Sequence, residues 1–315
     1  MTRHAPIALF AYNRPAHTAR AIASLKACPE AAASTLFVFC DGPRKPEAAS
    51  AVAETRTVVR QATSSGFGDV TIIEQPVNRG LANSIIAGVT DLCRRFGRVI
   101  VVEDDLILSP FFLRFMNEAL DRYEDDDRVM QVAGYMFDAE LNGLEEDALF
   151  LPFVTSWGWA TWDRAWRYFD PDMTAYDKIA NSAPLRRAFD LNGNYPYFAM
   201  LTRQRMGQID SWAIRWYLST FIRNGLALYP RRSLVANAGM DGSGMHCSNR
   251  EEDGNPVQMK RAVSSWPSEV TSSPYFSDIA SSIGRTANNV LSEWHLKSIV
   301  KNMVRIMTSR VRIKR

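Results

Sequence analysis

The stretch RVIVVEDD at residues 98–105 decides the fold class of this 315-residue chain. Its apolar part, residues 99–102, is continuous and β-branched, which is typical of a central parallel strand that is covered on both faces. Just before it, residues 81–96 carry apolar side chains three to four positions apart, the period of a helix that packs on a sheet. The sequence therefore predicts a helix, then a buried strand, and then three consecutive acids at the end of that strand.

Outward from this strand, short β-rich runs alternate with helical runs through the first 135 residues. We predict strands at residues 7–12, 35–40, 70–74, 98–103 and 129–135, and helices at residues 16–26, 47–63, 81–96 and 110–121. Such alternation gives βαβ units and an α/β fold with a mostly parallel sheet. After residue 150 the period becomes mostly helical, with a helix over residues 211–224, and residues 226–235 are predicted to form one returning strand.

The charge of the chain is unevenly placed. The net charge is +3, yet residues 295–315 hold seven Lys and Arg and no acid, so subtracting these seven leaves −4 for the rest. Because nucleic-acid binders need a basic face on the fold itself, this acidic balance argues against nucleic acid as a partner. The apolar residues of the tail fall on one helical face, which predicts a basic amphipathic helix on an anionic membrane surface. A terminal helix docked on the body is the alternative.

The four cysteines are widely spaced and form no CxxC pair, and no run of 18 apolar residues occurs. These features predict reduced thiols and no membrane-spanning helix. We therefore expect a cytoplasmic protein, at most peripheral on the inner face of the plasma membrane.

Polar residues follow several of the predicted strands. Arg14, Asp41 and the triplet Glu103-Asp104-Asp105 come directly after strands, and so do Asn78 and Arg79. Ligands of parallel sheets bind at the carboxyl ends of the strands, so we expect these groups to meet at one edge. Three adjacent acids repel one another unless a cation meets them, and Mg²⁺ or Mn²⁺ bridging to a diphosphate suits them. The alternative is a solvated turn before the helix that starts near Ser109.

The acidic segment VVEDDL at residues 101–106 resembles nucleotide-sugar glycosyltransferases of the GT-A fold, in particular the N-acetylglucosaminyltransferase I type. Other segments resemble the same family in the same order: AYNRP at 11–15, FCDGP at 39–43, SWGWATW at 156–162, IDSWAIRW at 209–216, and the run from Pro230 to His246. The resemblance covers roughly residues 7–247.

The resemblance implies a GT-A fold divided along the chain. Residues 1–135 would form the nucleotide-sugar-binding half and residues 136–247 the acceptor-binding and catalytic half. Residues 248–294 would form a loop-rich wrapping segment before the basic tail at 295–315.

The resemblance also implies a role for each residue of the donor site. Asp105 would be the sole protein ligand of Mn²⁺ or Mg²⁺, Asp104 would contact the ribose, and Glu103 would contact the donor-sugar hydroxyls. Arg14 would neutralise the diphosphate, with a surface arginine before a proline as the alternative. Asp41 would accept a hydrogen bond from the base, with a turn residue in the segment Asp-Gly-Pro as the alternative. Asn78 and Arg79 would line the same mouth, although an N-cap turn explains them equally well. His246 is predicted near the metal or diphosphate, with a hydrogen-bonded surface residue as the alternative.

On the acceptor side, Asp210 is the predicted catalytic base for inverting transfer, with a helix N-cap as the alternative. The family has two adjacent acids and uses the second, whereas this chain has Ser211 there. Asp241, which is predicted to bind the acceptor, therefore stays open as another base. Trp157 and Trp159 are the predicted acceptor-binding aromatics within a tryptophan cluster whose helical spacing otherwise indicates core packing.

Together with the resemblance, these observations predict a metal-dependent enzyme that moves a sugar from a nucleotide diphosphate, with UDP as the first candidate, to a hydroxyl of a glycan or lipid-linked glycan. The excess of Arg over Lys favours a bacterial enzyme of surface-polysaccharide synthesis. One alternative is a sugar nucleotidyltransferase, although its Gly-rich loop after the first strand is missing. The other is a non-enzymatic, membrane-associated protein that binds Ca²⁺ through the acids.

Overall fold

The computed structural model of the protein describes residues 4–240 and 262–285. Its strands are β1 (Ile7–Ala11), β2 (Thr35–Cys40), β3 (Asp69–Glu74), β4 (Arg98–Glu103), β5 (Leu106–Leu108), β6 (Val129–Ala133), β7 (Ala148–Leu151), β8 (Trp159–Trp162), β9 (Leu226–Pro230) and β10 (Val235–Asn237). Its helices are α1 (Pro15–Lys26), α2 (Ala49–Ala62), α3 (Leu81–Phe96), α4 (Phe112–Arg122), α5 (Asp163–Trp166), α6 (Tyr176–Ala180), α7 (Ala183–Phe189), α8 (Tyr197–Arg205) and α9 (Trp212–Phe221). Residues 276–285 are also helical.

Eight strands form one sheet in the order β3-β2-β1-β4-β8-β6-β9-β7. The first four are mutually parallel, β8 is antiparallel to both of its neighbours, β6 and β9 are parallel, and β7 is antiparallel to β9. Six strands of the eight therefore run the same way. The predicted α/β fold with a mostly parallel sheet is confirmed.

The strand β4 lies in the interior of this sheet, and its side chains alternate between two cores. Val99 and Val101 belong to one hydrophobic cluster, and Ile100 and Val102 to the other. All four are fully buried. Because successive side chains of a strand point to opposite faces, the continuous apolar run arises from helices covering both sides of the sheet.

The helix α3 covers one face of the sheet with its apolar stripe, in which Ile85, Val89 and Leu92 are fully buried. A Cβ atom at Gly88 would lie 2.9 Å from the ring of Phe10 on β1, so this glycine allows helix and strand to approach closely. Gly97 ends the helix in the left-handed conformation, with its N–H bonded to the carbonyl of Cys93 at 2.7 Å.

Two predictions for the second half are wrong. The tryptophan segment does not form the helix that its spacing indicates: residues 159–162 are strand β8 inside the sheet, and only Asp163–Trp166 is helical. The single strand predicted over 226–235 is two strands in two sheets, since β9 pairs with β6 and β7 whereas β10 pairs with β5. Trp159 and Trp162 lie three residues apart on β8, so their side chains point to opposite faces of the sheet, each into one of the two core clusters.

The described part of the wrapping segment follows the outer strand β7. Ser273 N–H donates to the carbonyl of Phe150 at 2.8 Å, and the carboxylate of Asp147 accepts from the N–H groups of Ser264 and Ser265. The basic tail lies outside the described residues. Within residues 4–240 and 262–285, no helix has the length and apolar character needed to cross a bilayer.

Candidate nucleotide-sugar site

The carboxyl ends of β1, β2 and β4 meet at one edge of the sheet because these strands are parallel neighbours. Arg14 follows β1, Asp41 follows β2, and Asp104 and Asp105 follow β4. Topology alone thus brings together groups that lie up to 91 positions apart in sequence.

Arg14 joins the two aspartates. Its Nη2 lies 2.6 Å from Asp104 Oδ1 and 3.0 Å from Asp105 Oδ2. The Asp104 side chain is 5% exposed and that of Asp105 is 13% exposed, so solvent screens these ion pairs only weakly. Burial, the largest influence, lowers the pKa of Arg14, but the two carboxylates together raise it above its ordinary value. Arg14 therefore stays charged and acts as the counter-ion of the acidic turn.

One arginine does not balance three acids. Desolvation by the surrounding protein and repulsion from Asp105 and Asp104 raise the pKa of Glu103 to about 8. Desolvation likewise raises the pKa of Asp104 to about 6, although Arg14 opposes the shift. Burial and repulsion therefore keep Glu103 largely protonated at neutral pH, and a further cation would stabilise all three acids in their ionised form.

Residues 234–240, hereafter the strap, run along the acidic turn. Ala238 N–H donates to the main-chain carbonyl of Asp105 at 2.8 Å, and a ring nitrogen of His17 lies 3.2 Å from the Ala238 carbonyl. A Cβ atom at Gly239 would overlap Asp105 Oδ2 and come within 3.0 Å of Arg14 Nη1. The strap therefore requires glycine at the point where it crosses the ion pair.

Asp41 organises the loop before α3. Its Oδ1 accepts from the N–H groups of Gly42 and Arg79, both at 2.8 Å, and its Oδ2 accepts from Asn78 Nδ2 and Gly80 N–H, both at 2.9 Å. A carboxylate has about four acceptor positions, and protein donors occupy four here. The predicted contact between Asp41 and a base stays a prediction, and the structure adds a positioning role that the turn alternative had implied.

Asn78 and Arg79 differ in their availability to a ligand. The Asn78 amide donates to Asp41 and also to the carbonyl of Gly42 at 2.9 Å, so it is engaged within the loop. The side chain of Arg79 is exposed at the same edge, where it lines a surface groove together with Asn83 on the first turn of α3.

The two predicted acceptor tryptophans are placed differently. Trp157 is partly exposed, next to Tyr135 at the end of β6. Trp159 is fully buried and stacks on Trp212 with ring centroids 4.9 Å apart. Because Trp159 belongs to the core, the prediction that it contacts an acceptor is wrong.

Asp210 lies on the loop before α9 with its side chain 60% exposed, and its Oδ1 accepts from Arg215 Nη2 at 2.9 Å. The N-cap of α9 is Ser211, whose Oγ accepts from the N–H of Ile214 at 3.4 Å. The cap alternative for Asp210 is therefore wrong. The first turn of α9 is anchored by Trp212 on Trp159, which pairs in the sheet with Val101 of β4.

His246 and Asp241 lie outside the described residues, so their predicted roles stay predictions. Within the described ranges, no group of three His, Cys, Asp or Glu side chains converges as a ready metal cage. Sequence reasoning missed Tyr135 and Gly239. The only signal for Tyr135 was its place just after a strand, and the contact of Gly239 depends on a pairing between β10 and β5 that spans more than a hundred residues.

No protein-family model matches the chain, and no curated protein matches its sequence. Structurally similar solved proteins include the galactosyltransferase LgtC with donor and acceptor sugar analogues, at 14% identity over 57% of this chain and a TM-score of 0.33. An active-site mutant of LgtC has 14% identity, 56% coverage and a TM-score of 0.32. A UDP-glucose pyrophosphorylase with UDP-glucose has 11% identity, and the match covers 73% of this chain and 91% of the other at a TM-score of 0.34. The match spans 66% and 64% of the two LgtC chains. At these scores the similarities establish neither family nor activity.

Proposed function

We propose that the protein is a metal-dependent glycosyltransferase of the GT-A type that moves a sugar from a nucleotide diphosphate, with UDP as the first candidate, to a glycan hydroxyl. The observation that carries the proposal is the cluster of Arg14, Asp104 and Asp105 at the carboxyl edge of a parallel sheet. Ligands of such sheets bind at this edge, and the cluster combines a phosphate-binding cation with carboxylates suited to a metal.

Arg14 is suited to hold the diphosphate. Its guanidinium matches phosphate oxygens in a forked geometry and remains charged at any physiological pH. Its Nη1 is buried and has no acceptor among the residues that the structure describes. A phosphate oxygen beside the acidic turn would satisfy this donor, which otherwise stays unpaired at a cost in stability.

The residues of the acidic turn fit a hard divalent cation. Glu103, Asp104 and Asp105 supply oxygen ligands, and their charge exceeds that of Arg14 by two when all three are ionised. Mg²⁺ and Mn²⁺ are commonly held by one or two carboxylates together with substrate phosphates, so a closed cage is not required. Asp105, with His246 as a second candidate, would hold the ion. When bound, such an ion supplies Lewis-acid stabilisation of the departing nucleotide diphosphate.

Asp210 is the proposed general base. It is an exposed carboxylate whose position is fixed by Arg215 on one side and by the start of α9 on the other. In inverting transfer, one carboxylate accepts the proton of the acceptor hydroxyl as that oxygen attacks the anomeric carbon. Ser211 caps helix α9 and has no carboxylate. Asp210 is therefore the one acid of the segment 209–216 that can accept a proton.

The acceptor we propose is a glycan or a lipid-linked glycan of bacterial surface polysaccharide. The basic residues at 295–315 suit an anionic membrane surface, where lipid-linked acceptors reside. We therefore propose that the enzyme acts in the cytoplasm, at the inner face of the plasma membrane.

The rival nucleotidyltransferase receives no support from the turn after β1. Strand β1 ends at Ala11 and helix α1 begins at Pro15, and the three residues between them include no glycine, so the Gly-rich phosphate loop of that class is missing here.

The test is binding of UDP-, GDP- and dTDP-sugars with and without Mn²⁺, together with slow donor hydrolysis. We expect Mn²⁺-dependent binding of one class, and its loss in Asp105→Ala. Glu118→Ala, an exposed acid on α4, is the matched control and should behave as the wild type. Failure of all nucleotide sugars to bind, or an unaffected Asp105→Ala protein, overturns the proposal. Ca²⁺ binding without nucleotide would favour the non-enzymatic alternative.

A further inference from the structure

Two aromatic side chains that the donor site does not use lie at the same edge of the sheet. Tyr135 follows β6 and Trp157 precedes β8, and their rings meet edge to face with centroids 4.6 Å apart and an interplanar angle of 76°. Both side chains are partly exposed. The ring of Tyr135 also contacts that of Phe137, with centroids 5.1 Å apart.

Main-chain contacts next to Tyr135 and Trp157 fix the relative position of these two residues. Gly134 N–H donates to the Gly158 carbonyl at 2.6 Å, which ties the ends of β6 and β8 together. Neither glycine has room for a Cβ atom: at Gly134 it would lie 2.6 Å from the ring of Phe112, and at Gly158 2.8 Å from Val235 Cγ2. Gly158 also has a φ of +62°. The two aromatic residues, each next to one of these glycines, are therefore held in a defined mutual position.

The strap links the aromatic pair to the acidic turn. Leu234 N–H donates to the Gly134 carbonyl at 2.9 Å, and four residues further on Ala238 N–H donates to the Asp105 carbonyl at 2.8 Å. Because an extended chain advances about 3.3 Å per residue, these two anchor points lie at most about 13 Å apart. The aromatic pair and the acidic turn are therefore close enough for one oligosaccharide to contact both.

We infer that Tyr135 and Trp157 form an acceptor subsite that binds a pyranose ring by stacking. The inference rests on the proposed glycosyltransferase function and extends it to a residue, Tyr135, and to a ligand class. The C–H groups of a pyranose ring pack on an aromatic face, while rings set nearly at right angles present a face and an edge to the same ligand. Small-molecule sites typically combine such apolar surfaces with a few polar groups.

The inference predicts binding of simple glycosides to the full-length protein. The probes are the methyl β-glycosides of glucose, galactose and N-acetylglucosamine, tested by saturation-transfer difference NMR in the presence of UDP and Mn²⁺. We expect at least one to bind the wild type, and Tyr135→Ala and Trp157→Ala each to weaken that binding about tenfold. Nucleotide binding, measured in parallel, should change less than twofold in both variants.

Matched variants separate stacking from folding. Tyr135→Phe keeps the ring and should bind as the wild type, whereas Tyr135→Leu keeps apolar volume without a ring and should bind as Tyr135→Ala. Tyr168→Ala is the control, since Tyr168 is 41% exposed and follows α5, whose first N–H is bonded to Gly97 at the opposite edge of the sheet. Thermal unfolding of each variant shows that it is folded.

The outcomes distinguish this inference from the proposed function. If the wild type binds nucleotide but no glycoside, or if Tyr135→Leu and Trp157→Ala bind glycosides unchanged, the stacking subsite is overturned while the donor site stands. Equal loss in Tyr168→Ala also overturns it. If the wild type binds no nucleotide sugar, the proposed function fails, and the assignment of the glycoside as an acceptor fails with it.

Discussion

Asp104 Oδ1 lies 2.6 Å from Arg14 Nη2, in an ion pair that joins the end of β4 to the end of β1. The same nitrogen reaches Asp105 Oδ2 at 3.0 Å. Arg14 therefore occupies, in the protein alone, the carboxylates that a divalent cation would use. A phosphate that draws the guanidinium toward itself would release these oxygens, so nucleotide and cation should bind cooperatively.

The first prediction follows from this competition. Arg14→Gln should bind Mn²⁺ without nucleotide several-fold more tightly than the wild type, because the competing cation is gone. The same variant should bind the nucleotide diphosphate about tenfold more weakly, because one charged donor to phosphate is lost. Titration of free Mn²⁺ by electron paramagnetic resonance, with and without UDP, measures both. Arg20→Gln, an exposed arginine on α1, is the control; tighter Mn²⁺ binding in both variants would contradict the argument.

A second prediction concerns pH. The folded protein holds the pKa of Glu103 near 8 and that of Asp104 near 6, both above their ordinary values. Between the ordinary and the raised pKa, the folded state binds more protons than the unfolded state, so the free energy of unfolding falls as pH rises. We expect a decrease on the order of 1–3 kcal/mol between pH 5 and 8. Urea unfolding across this range should show the slope in the wild type.

The variant Glu103→Gln should remove most of that slope, because its amide does not titrate. Saturating Mn²⁺ with UDP should also reverse it, since a bound cation stabilises the ionised acids. A wild-type profile that is flat, or one that rises with pH, would refute the assignment of uncompensated charge to this turn.

A third prediction concerns Asp41, which is 7% exposed and accepts four hydrogen bonds from residues 42 and 78–80. Asp41→Ala should lower the free energy of unfolding by about 2–4 kcal/mol, since several donors lose a charged acceptor together. Hydrogen exchange should accelerate at the N–H groups of Arg79 and Gly80. Asp69→Ala, an exposed acid on the edge strand β3, should change stability by less than about 0.5 kcal/mol. Equal effects at the two positions would contradict the role of Asp41 in holding the loop before α3.

A fourth prediction tests the strap. Gly239→Ala would place a Cβ atom against Asp105 and Arg14, so the strap or the ion pair has to shift. We expect Mn²⁺ and nucleotide binding to weaken about tenfold. The urea midpoint should change little, because the nearest atoms that the added Cβ would meet belong to Asp105 and Arg14 and not to residues of the hydrophobic core. Unchanged binding would show that the strap yields freely at this point.

Much of the first half of the fold was predictable because local and tertiary signals agree there. The bounds of β2, β4 and α3 match their predicted residues. A continuous apolar run favours a buried strand and a regular apolar stripe favours a helix, so each pattern indicates one type of element. The meeting of Arg14 with Asp104 and Asp105 also follows from sequence, because parallel neighbours end at a common edge.

The failures share a physical cause: the deciding contacts are distant in sequence. Trp157 and Trp159 are two residues apart and alike in type, yet the pairing of β8 with β4 and β6 buries one and leaves the other at the edge. The occupied oxygens of Asp41 depend on donors 37 to 39 positions away. No local pattern encodes either outcome.

The last prediction concerns the base. Asp210→Asn should keep Mn²⁺-dependent donor binding and lower sugar transfer by about 10²–10⁴, the usual contribution of a positioned general base. The amide preserves a hydrogen-bond acceptor for Arg215, so the loop should keep its place. Asp172→Asn, an exposed acid after α5, is the control.

Ser211→Ala should cost about 1 kcal/mol of stability through loss of the helix cap and leave the chemical step nearly unchanged. Ser211→Asp keeps a capping oxygen and creates two adjacent acids, so transfer by Ser211→Asp/Asp210→Asn would show that the base position accepts either residue. If Asp210→Asn turns over as the wild type does, Asp210 is not the base, and Asp241→Asn becomes the next variant to assay.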